Sequence, residues 1–118
     1  MDKLSKEELE EALLVINSII SRCEKSQLNC KEGSSQHTLL KNRIKAMYIS
    51  KALLNTEDVK GRYTKEDLQD ALPPVLSIIH KCEKAQVKHE EGSSHYNRFQ
   101  KMIDAMQISK RLITNEIE

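Results

Sequence analysis

Three cysteines and four histidines are the residues of this chain best suited to metal or redox chemistry: Cys23, Cys30, Cys82, His37, His80, His89 and His95. Cys23 and Cys30 precede Cys82 and His89 by the same 59 positions, so the two pairs together have the ligand types of a zinc site. Their spacing argues against one. Residues seven apart on a helix are separated by about 10 Å along the axis, more than a single tetrahedral centre spans. The chain has no Cys-x-x-Cys, and no two histidines stand three or four residues apart. Cys23 and Cys82 fall on apolar stripes, opposite Ile44 and Ile103, where a thiol acts as a small hydrophobe. Cys30 is the more exposed thiol and the better redox candidate.

None of the histidines has a serine or cysteine placed beside it as a nucleophile, so they read as structural or solvated. The turn Glu32-Gly33-Ser34-Ser35 and its copy Glu91-Gly92-Ser93-Ser94 could present helix N–H groups to an anion, with Lys31, Lys41 and Lys88 nearby. A phosphate loop needs more glycines and a following Lys-Ser/Thr, so capping is the simpler role. Glu24-Lys25-x-Gln27 and Ser50-Lys51 recur as well, at the stripe edge, where ion pairs and hydrogen bonds within a hairpin account for them. Gln27 and Gln86 face Leu40 and Phe99 and need partners of their own. No cofactor or metal is expected, and the chain reads as non-enzymatic.

These residues are positioned by a duplicated unit. Cys23-Glu24-Lys25 recurs as Cys82-Glu83-Lys84, Ala46-Met47 as Ala105-Met106, and Ile49-Ser50-Lys51 as Ile108-Ser109-Lys110, always 59 apart. A doubled sequence implies a doubled architecture. Within 1–118, read as one domain, the first unit spans 5–57, a linker 58–63 and the second unit 64–116.

Each unit reads as a helical hairpin. Ser5-x-x-Glu8 and Thr64-x-x-Asp67 are capping boxes. Leu9, Ala12, Leu13, Ile16, Ile19, Ile20 and Cys23 follow at the three-four spacing of one helical stripe. Gly33 is the left-handed terminator, Ser34 or Ser35 caps the next helix, and Leu40, Ile44, Met47, Leu53 and Leu54 face inward. Folding about Gly33 sets Cys23 opposite Ile44, Ile20 opposite Met47 and Leu13 opposite Leu54; the second unit repeats these layers.

Ala46 and Ser50, like Ala105 and Ser109, put small side chains one turn apart, where another helix can approach closely. Ile49 and Ile108 lie off the main stripe, so each second helix should contact both its hairpin partner and the other unit. Pro73-Pro74 replaces Leu14-Val15 and predicts a kink or break in the third helix. The expected fold is all-α: two tandem hairpins packed as a pseudo-two-fold four-helix bundle, with an intertwined homodimer as the alternative.

Composition narrows the function classes. Hydrophobic residues make up 38% and charged residues 31%, with 19 basic against 18 acidic side chains. That near-balance implies neither a polyanion-binding field nor an acidic tail. An odd cysteine count without a framework indicates reduced thiols. The acidic start through Glu11 is unlike a signal peptide, and the apolar stretch Ala12–Ile20 is too short for a membrane span. A cytoplasmic protein is expected.

The leading functional expectation is a regulatory or adaptor protein that binds another protein, or itself, through a helical face comprising Tyr48, Ile49, Gln107 and Ile108. Nucleic-acid binding is the alternative, through Lys41, Arg43, Lys45, Arg98, Lys101, Lys110 and Arg111. A third reading places a small molecule or metal in the bundle where Cys, His and Gln meet.

Overall fold

Every helix begins where a side chain can cap it. The computed structural model describes residues 4–118; residues 1–3, which open the expected domain and the acidic N-terminal stretch, lie outside the described residues. The first helix, α1 (Lys6–Leu28), starts from a capping box. Ser5 Oγ accepts from the Glu8 N–H, and Glu8 Oε1 accepts from the Ser5 N–H, both at 3.0 Å. That backbone bond holds the Glu8 carboxyl below its ordinary range. Thr64 and Asp67 make the same reciprocal pair at the start of α3 (Lys65–Gln86), also at 3.0 Å. Ser34 caps α2 (Ser35–Leu54), and Ser93 caps α4 (Ser94–Ile117).

Between the helices of each hairpin the chain must reverse within a few residues. Gly33 and Gly92 do this at φ +86° and +88°, a region that penalises a side chain even though a Cβ there would meet no atom within 4 Å. Across the first hairpin, Gln27 donates to the His37 carbonyl at 3.5 Å, and Tyr48 Oη donates to Glu24 at 3.2 Å. Across the second, the buried Gln86 donates to the Tyr96 carbonyl at 3.2 Å and to Gln100 Oε1 at 2.8 Å. Both glutamines thus find partners across their own turns.

One expectation needs correction. α3 runs unbroken through Pro73 and Pro74. Prolines there remove the N–H donors that would serve the carbonyls of Gln69 and Asp70, and both residues are exposed, so water can satisfy those oxygens. The linker also supplies a core residue. Val59 is 1% exposed and belongs to the core, and its carbonyl accepts from the N–H groups of Arg62 and Tyr63.

The helices pack as an all-α four-helix bundle. α1 touches α2 and α4, α3 touches α2 and α4, and α2 meets α4 across the middle. No Cα of α1 comes within 8 Å of any Cα of α3. The central approach of α2 to α4 fits the small residues, since Ala46, Ser50, Ala105 and Ser109 are all buried. Ser50 and Ser109 donate to the carbonyls of Ala46 and Ala105 at 2.9 and 3.1 Å, so neither buried hydroxyl is unsatisfied. Overall extents are 43 × 42 × 20 Å. An aligned bundle would have one long and two short dimensions, so these helices splay or cross rather than share an axis. No helix among the described residues is long and apolar enough to cross a membrane.

Candidate partner-binding site

Where the hairpins meet, two junctions form, α2 with α3 and α1 with α4, and they differ. At the first, Lys45 on α2 bonds Asp67 on α3 at 2.7 Å. The ammonium, with the Thr64 N–H, holds the Asp67 carboxyl below its ordinary range, and Asp67 in turn raises Lys45. Ile49 and Ala52 are buried on the α2 side, and Val59 in the connecting segment is buried too. Around these residues the junction is closed; farther along, a cleft of ≈ 440 Å³ lies between Asn42 and Arg43 on α2 and Asp70, Pro73 and Pro74 on α3.

The second junction is open. A groove of ≈ 290 Å³ runs between α1 and α4, lined by Ala12, Ala105 and Ile108 together with charged and amide side chains. Positions 59 residues from Lys45 and Asp67 are Asp104 and Glu8, so two acids stand where the sealed junction has an ion pair. Arg111 stands where the counterpart position holds the small Ala52, and its side chain lines the groove instead of filling a core. One ion pair spans the groove, Lys101 to Glu11 at 3.3 Å.

That contrast decides where the four expected contact residues sit. Gln107 is exposed and Ile108 half-buried, and both line the groove. Ile49 is 0% exposed, which removes it from any surface. Its off-stripe position reflects a second packing contact, not a free face. Tyr48 is 40% exposed on α2 but shares no groove with Gln107 and Ile108. The Glu24 carboxylate beside it, more than burial, raises the phenol above its ordinary range.

The thiols and imidazoles are dispersed. Cys23 and Cys82 are buried and Cys30 half-buried, with its Sγ donating to the Ser26 carbonyl at 3.3 Å. Burial pushes the Cys23 and Cys82 thiols up, opposed in part by the guanidiniums of Arg43 and Arg22. Since α1 and α3 keep all Cα pairs beyond 8 Å, a Cys23–Cys82 disulfide would require the helices to move. Among the described residues no group of three or more Cys, His, Asp or Glu is placed to hold a metal ion. His89 stacks on His95 at 4.9 Å and on Phe99 at 5.8 Å, closing the turn end of the second hairpin.

Of the seven basic residues considered for nucleic acid, Lys45 and Lys101 are in ion pairs within the fold. Arg43, another of the seven, lines a second groove between α1 and α3. Its signal was visible: Arg43 occupies the position whose counterpart is Met102, a cation on an otherwise apolar site. No family model, curated protein or solved structure matches this chain.

Proposed function

We propose that the chain is a small non-enzymatic regulatory or adaptor protein that binds another protein through the α1–α4 groove, with Gln107 and Ile108 as contact residues. The observation that supports this reading is the open junction itself. An apolar floor of Ala12, Ala105 and Ile108 lies beneath a rim carrying Glu8, Glu11 and Asp104 alongside Lys101 and Arg111. Interspersed charge around an apolar strip suits a protein surface, where both signs can be matched, better than a polyanion. Tyr48, the exposed aromatic on α2, is a secondary contact of the same kind.

Affinity capture from cells that make the protein, run in parallel with Gln107→Arg, tests the reading. A partner retained by the parent chain and lost from the folded variant supports it. Recovery of no partner, together with a monomeric mass at high concentration, would overturn it. So would a partner held equally by both chains and by an Ile108→Ala variant.

A further inference from the structure

A second groove, away from the α1–α4 junction, has a different chemistry. α1 and α3 line it with no Cα of one within 8 Å of the other, and α2 and α4 contribute to it as well; its volume is ≈ 320 Å³, the size of a single small ligand. Ile19, Leu40 and Ile78 are buried in it, with Met102 and the thiols of Cys23 and Cys82 completing an apolar lining. Three cations lie around this lining: Arg22 on α1, Arg43 on α2 and Lys81 on α3. No carboxylate lines the groove. Among the described residues, none of the three cations is in an ion pair, although Lys45, Arg62 and Lys101 elsewhere all find one.

Arg43 carries the argument further. Its Nε is buried and has no hydrogen-bond partner, and it is the one buried side-chain nitrogen or oxygen in that condition among the described residues. A desolvated guanidinium N–H without an acceptor costs free energy, and turning the Arg43 side chain toward an anion in the groove would relieve that cost. The same guanidinium opposes the effect of burial on the Cys23 thiol, and both residues line the groove. The neighbouring cleft, lined by Pro73 and Pro74, also includes Arg43 but adds Asp70, a carboxylate that the α1–α3 groove lacks.

From this geometry we infer a binding site for a small amphipathic anion, a carboxylate with an aliphatic tail. The head accepts from Arg43 with Arg22 or Lys81, and the tail lies along Ile19, Leu40, Ile78 and Met102. This site is independent of the protein-binding groove, and each can fail without the other.

The test is an amide-shift NMR titration of the whole chain with sodium octanoate, set against acetate, inorganic phosphate and octan-1-ol. Octanoate is expected to saturate, moving amides of residues 19–26, 36–43 and 78–82. Acetate and phosphate lack the tail, and octan-1-ol lacks the charge. Each is expected to bind at least about tenfold more weakly, the scale of one charge-assisted hydrogen bond or a buried tail. Arg43→Met, which installs the side chain found at position 102, should weaken octanoate by about tenfold while leaving octan-1-ol unchanged. Should that variant fail to fold, the exposed pair Arg22→Gln and Lys81→Gln gives the same readout. Equal binding of octanoate and octan-1-ol, phosphate binding as tightly as octanoate, shifts confined to another surface, or no saturation below micelle formation would each overturn the proposal.

Discussion

The α2–α3 and α1–α4 junctions are built from positions 59 apart, yet around Lys45 and Asp67 the first is closed where the second, at Asp104 and Glu8, is a groove. Three differences separate them. The sealed junction joins helices consecutive in the chain, and its connecting segment brings Val59 into the core. It has a 2.7 Å ion pair where the open one sets Glu8 beside Asp104 in the same groove. It also has the small Ala52 where the open one has Arg111. A pair of surfaces with the same helical scaffold can therefore be a core seam or an exposed cleft, depending on a few side chains and on which ends the chain connects. Function is better sought at the junction where the pattern is relaxed.

The largest expected effect tests whether the seam is a core at all. Ile49→Ala should destabilise by about 2–5 kcal/mol, the range for an aliphatic side chain removed from a packed interior. Ile108→Ala, half-buried at the groove, should cost only about 1–2 kcal/mol. Urea unfolding of the two variants measures both, and equal costs would erase the distinction between seam and cleft. Next comes Val59→Ala, expected to cost about 1.5–3 kcal/mol because the side chain is fully buried although it sits in the linker. A neutral result would show that the linker does not seal the junction.

Much of the fold was legible in the sequence, and what was legible was local. The capping boxes, the left-handed glycines and the three-four stripes act within a few residues, so Ser5 and Thr64 announced two helix starts and Gly33 and Gly92 the turns; the glycines are not the helix terminators, because α1 and α3 already end at Leu28 and Gln86, capped by Asn29 and Val87. The small residues of α2 and α4 foretold a close helix approach. Illegible were features that depend on which helices become neighbours. Only once α1 is known to lie against α4 do Glu8 and Asp104 become two acids in one cleft. Only once α2 is known to face α3 does Ile49 change from a surplus apolar residue into a core one. Arg43 counted as one base among seven until α1, α2 and α3 placed it over an apolar floor.

A smaller effect would sharpen the same contrast by converting one junction toward the other. Asp104→Lys puts at the open junction the residue type that Lys45 provides at the sealed one, opposite Glu8 in place of Asp67. The expected result is a small rise in Tm, well below the loss from Ile49→Ala, since a solvent-exposed pair contributes little. Raising the salt concentration should shrink the gain. Partner capture through Gln107 and Ile108 should weaken as the rim charge changes. A fall in Tm would mean that Asp104 and Glu8 already have favourable surroundings and that the missing ion pair is not what opens the groove.

The smallest effect is in the acid limb of stability, and its sign follows from Asp67. The Lys45 ammonium and the Thr64 N–H stabilise the charged carboxylate, so its folded pKa lies below the ordinary 3.8. A group shifted down contributes stability that is present above its unfolded pKa. That contribution is lost as pH falls through the folded value, because the unfolded chain takes up the proton first. The parent chain should therefore lose stability below about pH 4 more steeply than Asp67→Asn, which has no carboxylate to protonate there. Glu8 is lowered by its own capping bond and contributes in the same direction, so Asp67→Asn flattens the acid limb without abolishing it. If Asp67→Asn gave the same acid limb as the parent chain, the ion pair would not distinguish the two junctions, and the difference would rest on Val59 and Ala52 alone.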